Sequence, residues 1–212
     1  MRTNAPALEG IRKTIPAGKT LYHAGDTPTH AFYVHDGTVK ITADSWVGLH
    51  RGDNEQRTDR LIDVAGPHDI LGVHQHQHPH TAITASDTLV TIVPREHLNR
   101  PETLQAVLDY LTRTNARHEV RLQQNDLPVA IRLLETLKDL AKRFGDTTRS
   151  DISFTLPLTH SDLADLVNSS RVTVTKFMAD LQREGIVEGT RGEYTLHVTA
   201  AEPYIADLVF NS

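Results

Sequence analysis

Apolar and polar positions follow two different periods along the chain. Up to about residue 98, short segments rich in β-branched and aromatic residues alternate with turn formers. Lys19–His23, Ala31–Val34, Thr38–Ala43, Arg60–Val64, Ala82–Thr84 and Leu89–Val93 read as strands. Pro16-Ala17-Gly18, Gly25-Asp26, Asp36-Gly37, Gly66-Pro67 and Gly72 separate them. Asp36-Gly37 predicts a hairpin, since a two-residue loop favours the left-handed angles these residues tolerate. Many short strands at this spacing predict a barrel or jelly roll. The polar run His50–Thr58 is expected to be a surface hairpin loop.

From Pro101 the period becomes helical. Leu104, Val107, Leu108 and Leu111 recur on one side, and the pattern thins through Asn115, His118 and Leu122 to about Gln124. Such a stripe either faces a core or forms a seam between two chains. Asn125, Asp126 and Pro128 interrupt it. A second helix follows, with Ile131, Leu133, Leu134, Leu137, Leu140, Ala141 and Phe144 as its stripe and Gly145 at its C-terminal cap. The expected fold is α+β: a jelly-roll-like β-roll over residues 1–98, a long helix over 99–126 and a second domain over 127–212.

The last part carries the most specific signal. Thr159 or Ser161 can cap a helix carrying Leu163, Ala164, Leu166 and Val167. After the turn Asn168-Ser169-Ser170, Ser170 can cap a second helix running from about Arg171 to Glu184. Val174, Phe177, Met178 and Leu181 form its buried stripe, leaving Arg171, Val172, Thr173, Thr175 and Lys176 outside near its start. Two short helices with a tight turn match a helix-turn-helix, whose second helix enters the major groove. There an arginine can bond both acceptors of guanine, and a valine methyl can touch that of thymine. Ile186–Glu188 and Tyr194–Leu196, around Gly189-Thr190-Arg191-Gly192, read as a wing with Arg191 placed for a phosphate; Ser153–Leu156 reads as a strand before it.

Composition narrows the reading. The chain has 212 residues, 38% of them apolar and 23% charged, enough for two modest packed domains. No window holds the roughly 18 apolar residues of a membrane span, and no secretory h-region opens the chain. The absence of cysteine excludes disulfides and thiolate chemistry and fits a cytoplasmic protein. A net charge of −5 means that a DNA binder must gather its basic residues on one face.

Two stretches resemble the Crp/Fnr family of transcription regulators. IPAGKTLYHAGDTPTHAFYVHDGTVKI is similar to the family's opening β-roll signature, and LTHSDLADLVNSSRVTVTKFMADLQREGIV to its recognition module. The resemblance implies a cyclic-nucleotide-binding-like sensor roll, a dimerisation helix bearing Leu104, Val107, Leu108 and Leu111, and a winged helix-turn-helix. It also implies a homodimer on near-palindromic double-stranded DNA, with RNA polymerase as a further candidate partner. The family's base-reading positions fall on Arg171, Val172 and Lys176. The cAMP-responsive branch usually carries glutamate where Val172 stands, and RVTVTK is closer to the cyanobacterial nitrogen-control regulators.

In the sensor, the cAMP-binding members carry glutamate and arginine in a phosphate cassette. Val73 and His80 stand at those places, followed by Thr81, and neither can bind ribose and phosphate in the same way. Cyclic AMP is therefore not the expected effector. Three other effector readings stay open. On an extended strand, the alternating His74, His76, His78 and His80 would share one side and could bind a transition metal, although Pro79 disfavours a regular strand. His74 falls near the haem ligand of the family's carbon-monoxide sensor. A small organic anion could lie between Val73, His74, His80, Thr81 and the helix residues Arg117 and His118. The histidine-rich loop could also bind nothing. Outside this class, His74, His76 and His97 could be forced into a cupin-like metalloenzyme site, and a ligand-binding dimer without DNA binding is a further alternative.

Overall fold

The computed structural model describes residues 8–47, 56–148, 151–190, 192–197 and 199–201. The chain divides into two compact units, residues 1–119 and 120–212.

The first unit is a β-roll of two four-stranded antiparallel sheets. β1 (Ile11–Ile15), β8 (Thr88–Pro94), β3 (His30–Asp36) and β6 (Ile70–Leu71) lie side by side in that order in one sheet. The other sheet has the order β2 (Thr20–Tyr22), β7 (Thr81–Thr84), β4 (Val39–Val47), β5 (Gln56–Ala65). A 3₁₀ turn, Arg95–His97, leads into α1 (Pro101–Gln124). The two-residue period of a strand explains how the first sheet is covered on both faces. On one face Val34 and Val90, with Phe32 and Ile92, join Tyr22, Val39, Ile41, Ala65, Leu71 and Ala82 from elsewhere in the roll. On the other, Ala31, Tyr33, Ile70 and Val93 cluster with Ala106, Val107 and Tyr110 of α1.

Three sequence expectations need correction here. β3 and β4 belong to different sheets, so Asp36-Gly37 is a corner and not a hairpin. Gly37 does adopt the left-handed region, at φ 95°. A Cβ there would lie 2.6 Å from the Asp87 carbonyl oxygen, so the corner closes too tightly for a side chain. Val107 packs inward on its own roll and does not share the outer face of α1 with Leu104, Leu108 and Leu111. The polar run before β5 is partly strand, because Val47 pairs with Gln56; residues 48–55 lie outside the described residues.

The second unit opens with the end of α1 and α2 (Val129–Phe144). α2 buries Ile131, Leu133, Leu134, Leu137, Leu140 and Ala141, a stripe broad enough to hold a domain together. Gly145 caps α2 in an extended conformation, φ −105°, with its N–H on the Ala141 carbonyl, where a left-handed cap is the usual glycine role. β9 (Gly145–Thr148), β10 (Asp151–Thr155), β11 (Val187–Thr190) and β12 (Glu193–His197) form a sheet in the order β11-β12-β10-β9, and α3 (His160–Leu166) and α4 (Arg171–Arg183) stand between β10 and β11 in the chain. His197 clips this sheet: its Nδ1 lies 3.0 Å from Asp151 of β10 and its Nε2 3.3 Å from Glu188 of β11. The hydrogen bond to Asp151, with the carboxylate charges, raises its pKa against some desolvation.

Candidate functional site

α3 starts where Thr159 and Asp162 satisfy each other's ends. Thr159 N donates to the Asp162 carboxylate at 2.6 Å, and Asp162 N donates to Thr159 Oγ1 at 3.2 Å. α3 ends in a turn at Asn168, whose φ of 50° an asparagine tolerates better than most residues. Ser170 then caps α4, accepting Thr173 N–H at 3.1 Å. Burying Val174, Met178 and Leu181 fixes the rotation of α4, each contributing ~1.5–3 kcal/mol. Phe177 is half-buried, where the sequence pattern placed it in the buried stripe.

That rotation leaves Arg171, Val172, Thr175 and Lys176 exposed. Val172 is 79% exposed, and no folding requirement explains an apolar side chain held in water there. Neither Arg171 nor Lys176 has an ion-pair partner among the described residues. Ser170 and Thr173 share a hydroxyl contact of 2.8 Å, so the cap is their first role. Thr175 Oγ1 donates to the Arg171 carbonyl at 2.8 Å. Arg191 lies outside the described residues. The face that remains offers a fork of donors, a methyl surface and an ammonium, which are the groups that read base edges and grip phosphates.

In the roll, residues 73–80 form bends and not a strand, so His74, His76, His78 and His80 do not share one side. The loop is held by its backbone. Arg95 donates to the carbonyls of His74 and Gln75 at 2.8 and 2.7 Å, while His78 N donates to Asp26 O at 3.0 Å. His76 is exposed; His78 is buried and stacks on Tyr22 with ring centroids 3.8 Å apart. His74 meets His78 and His80 edge-on at 5.8 and 5.1 Å. Gly72, at φ 81°, admits the close passage of the His30 carbonyl beside this cluster. Burial, with neighbouring imidazoles, lowers His78 and takes His80 down to about 4; burial also lowers His74. At pH 7 His80 is therefore neutral.

The other candidate effector residues, Val73, Thr81, Arg117 and His118, each have contacts within the roll and α1. Val73 packs against the apolar cluster under α1. Thr81 Oγ1 accepts Ala24 N–H at 3.0 Å. Buried Asp63 draws Arg117 to 3.6 Å and His118 to 3.9 Å. Tyr110, desolvated and near the carboxylates of Asp63 and Asp69, is pushed up to about 12. Among the described residues no group of three or more histidine, aspartate or glutamate side chains is placed to hold a metal ion. His97 sits on the 3₁₀ turn, against the Glu9 carbonyl at 3.4 Å.

Comparison with known proteins settles the family. The cyclic nucleotide-binding domain family matches residues 12–100, and the Crp-like helix-turn-helix domain family matches 129–201. The chain belongs to the Crp/Fnr family. This Crp/Fnr regulator is 28% identical over 182 residues to the CRP-like cAMP-activated global transcriptional regulator of Mycobacterium tuberculosis, covering 80% of this chain and 76% of the relative. The global nitrogen regulator of Nostoc sp. is 22% identical over 200 residues, covering 90% and 87%. A CRP/FNR-family transcriptional regulator from Thermus thermophilus shares the fold at a TM-score of 0.72 and 20% identity, over 93% of this chain and 100% of that one. The Crp/Fnr protein is thus a transcription regulator and not an enzyme, and its helix-turn-helix is a DNA-binding element.

Sequence reasoning found α4 and the exposure of Arg171, Val172, Thr175 and Lys176, whereas Thr173, expected outside with them, is half-buried. It missed Tyr22, Asp63 and Tyr110. A lone tyrosine or aspartate in a strand pattern carries no signal of what the opposite sheet or helix will bring beside it.

Proposed function

We propose that this regulator acts in the cytoplasm as a homodimer on a near-palindromic operator, and that its effector is not a cyclic nucleotide. The exposed Arg171-Val172-Lys176 face on a capped, rotationally fixed helix carries the DNA-reading part. Arg171 bonds a guanine in each half-site, Val172 contacts a thymine methyl, and Lys176 grips the backbone.

The spacing on α1 supports the dimer. Leu104, Leu108, Leu111, Asn115, His118 and Leu122 alternate four and three residues apart, the spacing of a coiled-coil seam. Leu108 and Leu122 are 58% and 69% exposed in the single chain, so a partner helix would bury them. Asn115 falls at the same kind of seam position, where an asparagine pair fixes register and favours two strands at some cost in stability.

Against a cyclic nucleotide stands the replacement of the phosphate-binding arginine of the cassette by His80. A cyclic phosphate needs a cation; His80 is neutral, Arg117 faces Asp63, and Tyr22, stacked on His78, stands 6.1 Å from the His80 ring. Val73 offers ribose hydroxyls no acceptor. The cAMP-activated relative therefore does not lend its effector to this chain. An effector suited to neutral imidazole and phenol groups, repacking α1 against the roll, would act at the hinge 125–128, which Arg132 of α2 holds through the Asn125 carbonyl at 2.7 Å. It works only as far as it binds the two arrangements unequally. Calorimetric titration of the full-length protein with cAMP is expected to give no heat of binding and no change in operator affinity. A saturable one-site isotherm that tightens operator binding by about tenfold or more would overturn this reading.

A further inference from the structure

The solvent-facing side of the β11-β12-β10-β9 sheet carries a titratable clasp. His197 ends β12 directly opposite Asp151 of β10, while Glu188 of β11 stands opposite Thr195, one diagonal step from His197. Directly paired side chains on one sheet face stand close, and a diagonal neighbour is still within reach of a long side chain. Ile152, Phe154, Tyr194 and Leu196 alternate to the other face and are buried, with α2 packed against β10 and β12. The imidazole thus stands between carboxylates from two different strands. Its Nδ1 lies 3.0 Å from Asp151 and its Nε2 3.3 Å from Glu188.

A neutral imidazole has a single N–H. Donated to Asp151, it leaves the Nε2 lone pair turned toward the Glu188 carboxylate. Nε2 is shut off from solvent and makes no hydrogen bond among the described residues. A second proton turns that contact from repulsion into an ion pair. We propose that His197 is an imidazolium clasp holding β11 and β12 onto β10, and that its loss of a proton as pH rises loosens these strands and weakens the regulator's grip on DNA. The DNA part rests on reading the β11–β12 hairpin as the wing of the DNA-binding module. Asp151 and Glu188 are the ionisable groups that face the ring from β10 and β11. On β9, Thr148 stands opposite Asp151 and Asp146 opposite Ser153, while Glu193 lies at the far end of β12.

The direction of the pH effect follows from the same contacts. The hydrogen bond to Asp151 raises the pKa of His197, desolvation opposes it, and the charges of Asp151 and Glu188 add to it. The stabilisation is therefore full below the unfolded value of about 6.5 and is lost as pH rises through the higher folded value. His35, His74, His78 and His80 of the roll are lowered by burial and act with the opposite sign. A loss confined to this sheet as pH rises separates His197 from them.

The test is NMR of the full-length protein with isotope-labelled imidazoles over about pH 5.5–8.5. Hydrogen exchange of the β11 and β12 amides and binding to an operator duplex selected by the wild-type protein are followed over the same range. The His197 signal is the one lost in His197→Gln or, should that variant not fold, the one that Glu188→Gln moves. Both ring nitrogens are expected to stay protonated to higher pH than in a free imidazole, and Glu188→Gln should lower that midpoint. His197→Gln keeps one donor for Asp151 but cannot take up a proton. For each unit by which the midpoint is raised, wild-type strand protection relative to His197→Gln should be about tenfold larger at the acid end than at the alkaline end. Wild-type operator affinity should fall with rising pH more steeply than that of His197→Gln. A ring midpoint at or below the free-imidazole value overturns the proposal, as does a His197→Gln variant whose strand protection or DNA affinity follows the wild-type pH profile. The ring and exchange readouts need no operator, so a failed clasp is distinguishable from a failed operator reading.

Discussion

Replacing Leu108 and Leu111 together by aspartate is expected to yield a monomer whose operator affinity falls by at least about 100-fold. Both leucines are exposed in the single chain, Leu108 at 58% and Leu111 at 43%, on a face that α1 does not use against its own roll. Burying each in a dimer would contribute ~1.5–3 kcal/mol, so four leucines across the two-fold axis outweigh the other groups on this face. Four carboxylates in their place cost far more than the lost apolar contact, because each charge would lie unpaired in the seam. The DNA consequence follows from linkage between half-sites: two tethered recognition helices bind more tightly than one by roughly 10²–10⁴. Sedimentation equilibrium and operator titration read the two effects separately. Val107→Asp is the informative contrast, since Val107 packs on Ala106 and the outer face of the β3 sheet. It should lower the melting temperature of the fold itself. A dimer undiminished by the Leu108 and Leu111 changes would place the seam elsewhere.

The second large effect is expected from Arg171→Ala. Arg171 opens α4 beside the Ser170 cap, exposed and without an ion-pair partner among the described residues, so removing it disturbs no contact that holds the helix. A bidentate arginine–guanine contact is worth ~1–3 kcal/mol of discrimination. In a dimer both half-sites lose it, giving ~2–6 kcal/mol, or about 30-fold to 10⁴-fold in specific affinity. Binding to mixed-sequence DNA should fall much less, since phosphates supply most of that term. The readout is competitive titration against operators changed at one base pair at a time. Preference should relax at a single position per half-site; an unchanged preference would remove Arg171 from the base-reading set.

The helix-turn-helix was legible in the sequence because its information is local. The Ser170 cap, the stripe Val174-Met178-Leu181 and the polar opening of α4 lie close together in the chain, and each is decided by spacing alone. The roll was legible as strands but not as a topology. Asp36-Gly37 has the residues of a hairpin turn, yet the sheet that β4 joins is chosen by β7 and β5, which are distant in sequence. The same limit explains Val107. It precedes Leu108 in the helix, and only the position of the β3 sheet shows that it turns inward. The histidine run misled for another reason. Alternation implies one face only on a strand, and here Arg95 and Asp26 pull the loop into bends that bury His78 and expose His76. Tyr22 and Asp63, which give that loop its surroundings, come from β2 and β5 and leave no trace in the run itself.

Two copies of this chain reading one near-palindromic site through Arg171, Val172 and Lys176 is the arrangement on which everything else depends. Selection of duplex DNA from a random pool by the purified full-length protein, without added nucleotide, probes it without assuming an effector or a target. The expected product is an inverted repeat with a guanine in each half-site and half-site centres about one helical turn apart. Enrichment of a single unpaired half-site, or no enrichment over mixed-sequence DNA, would refute the paired reading.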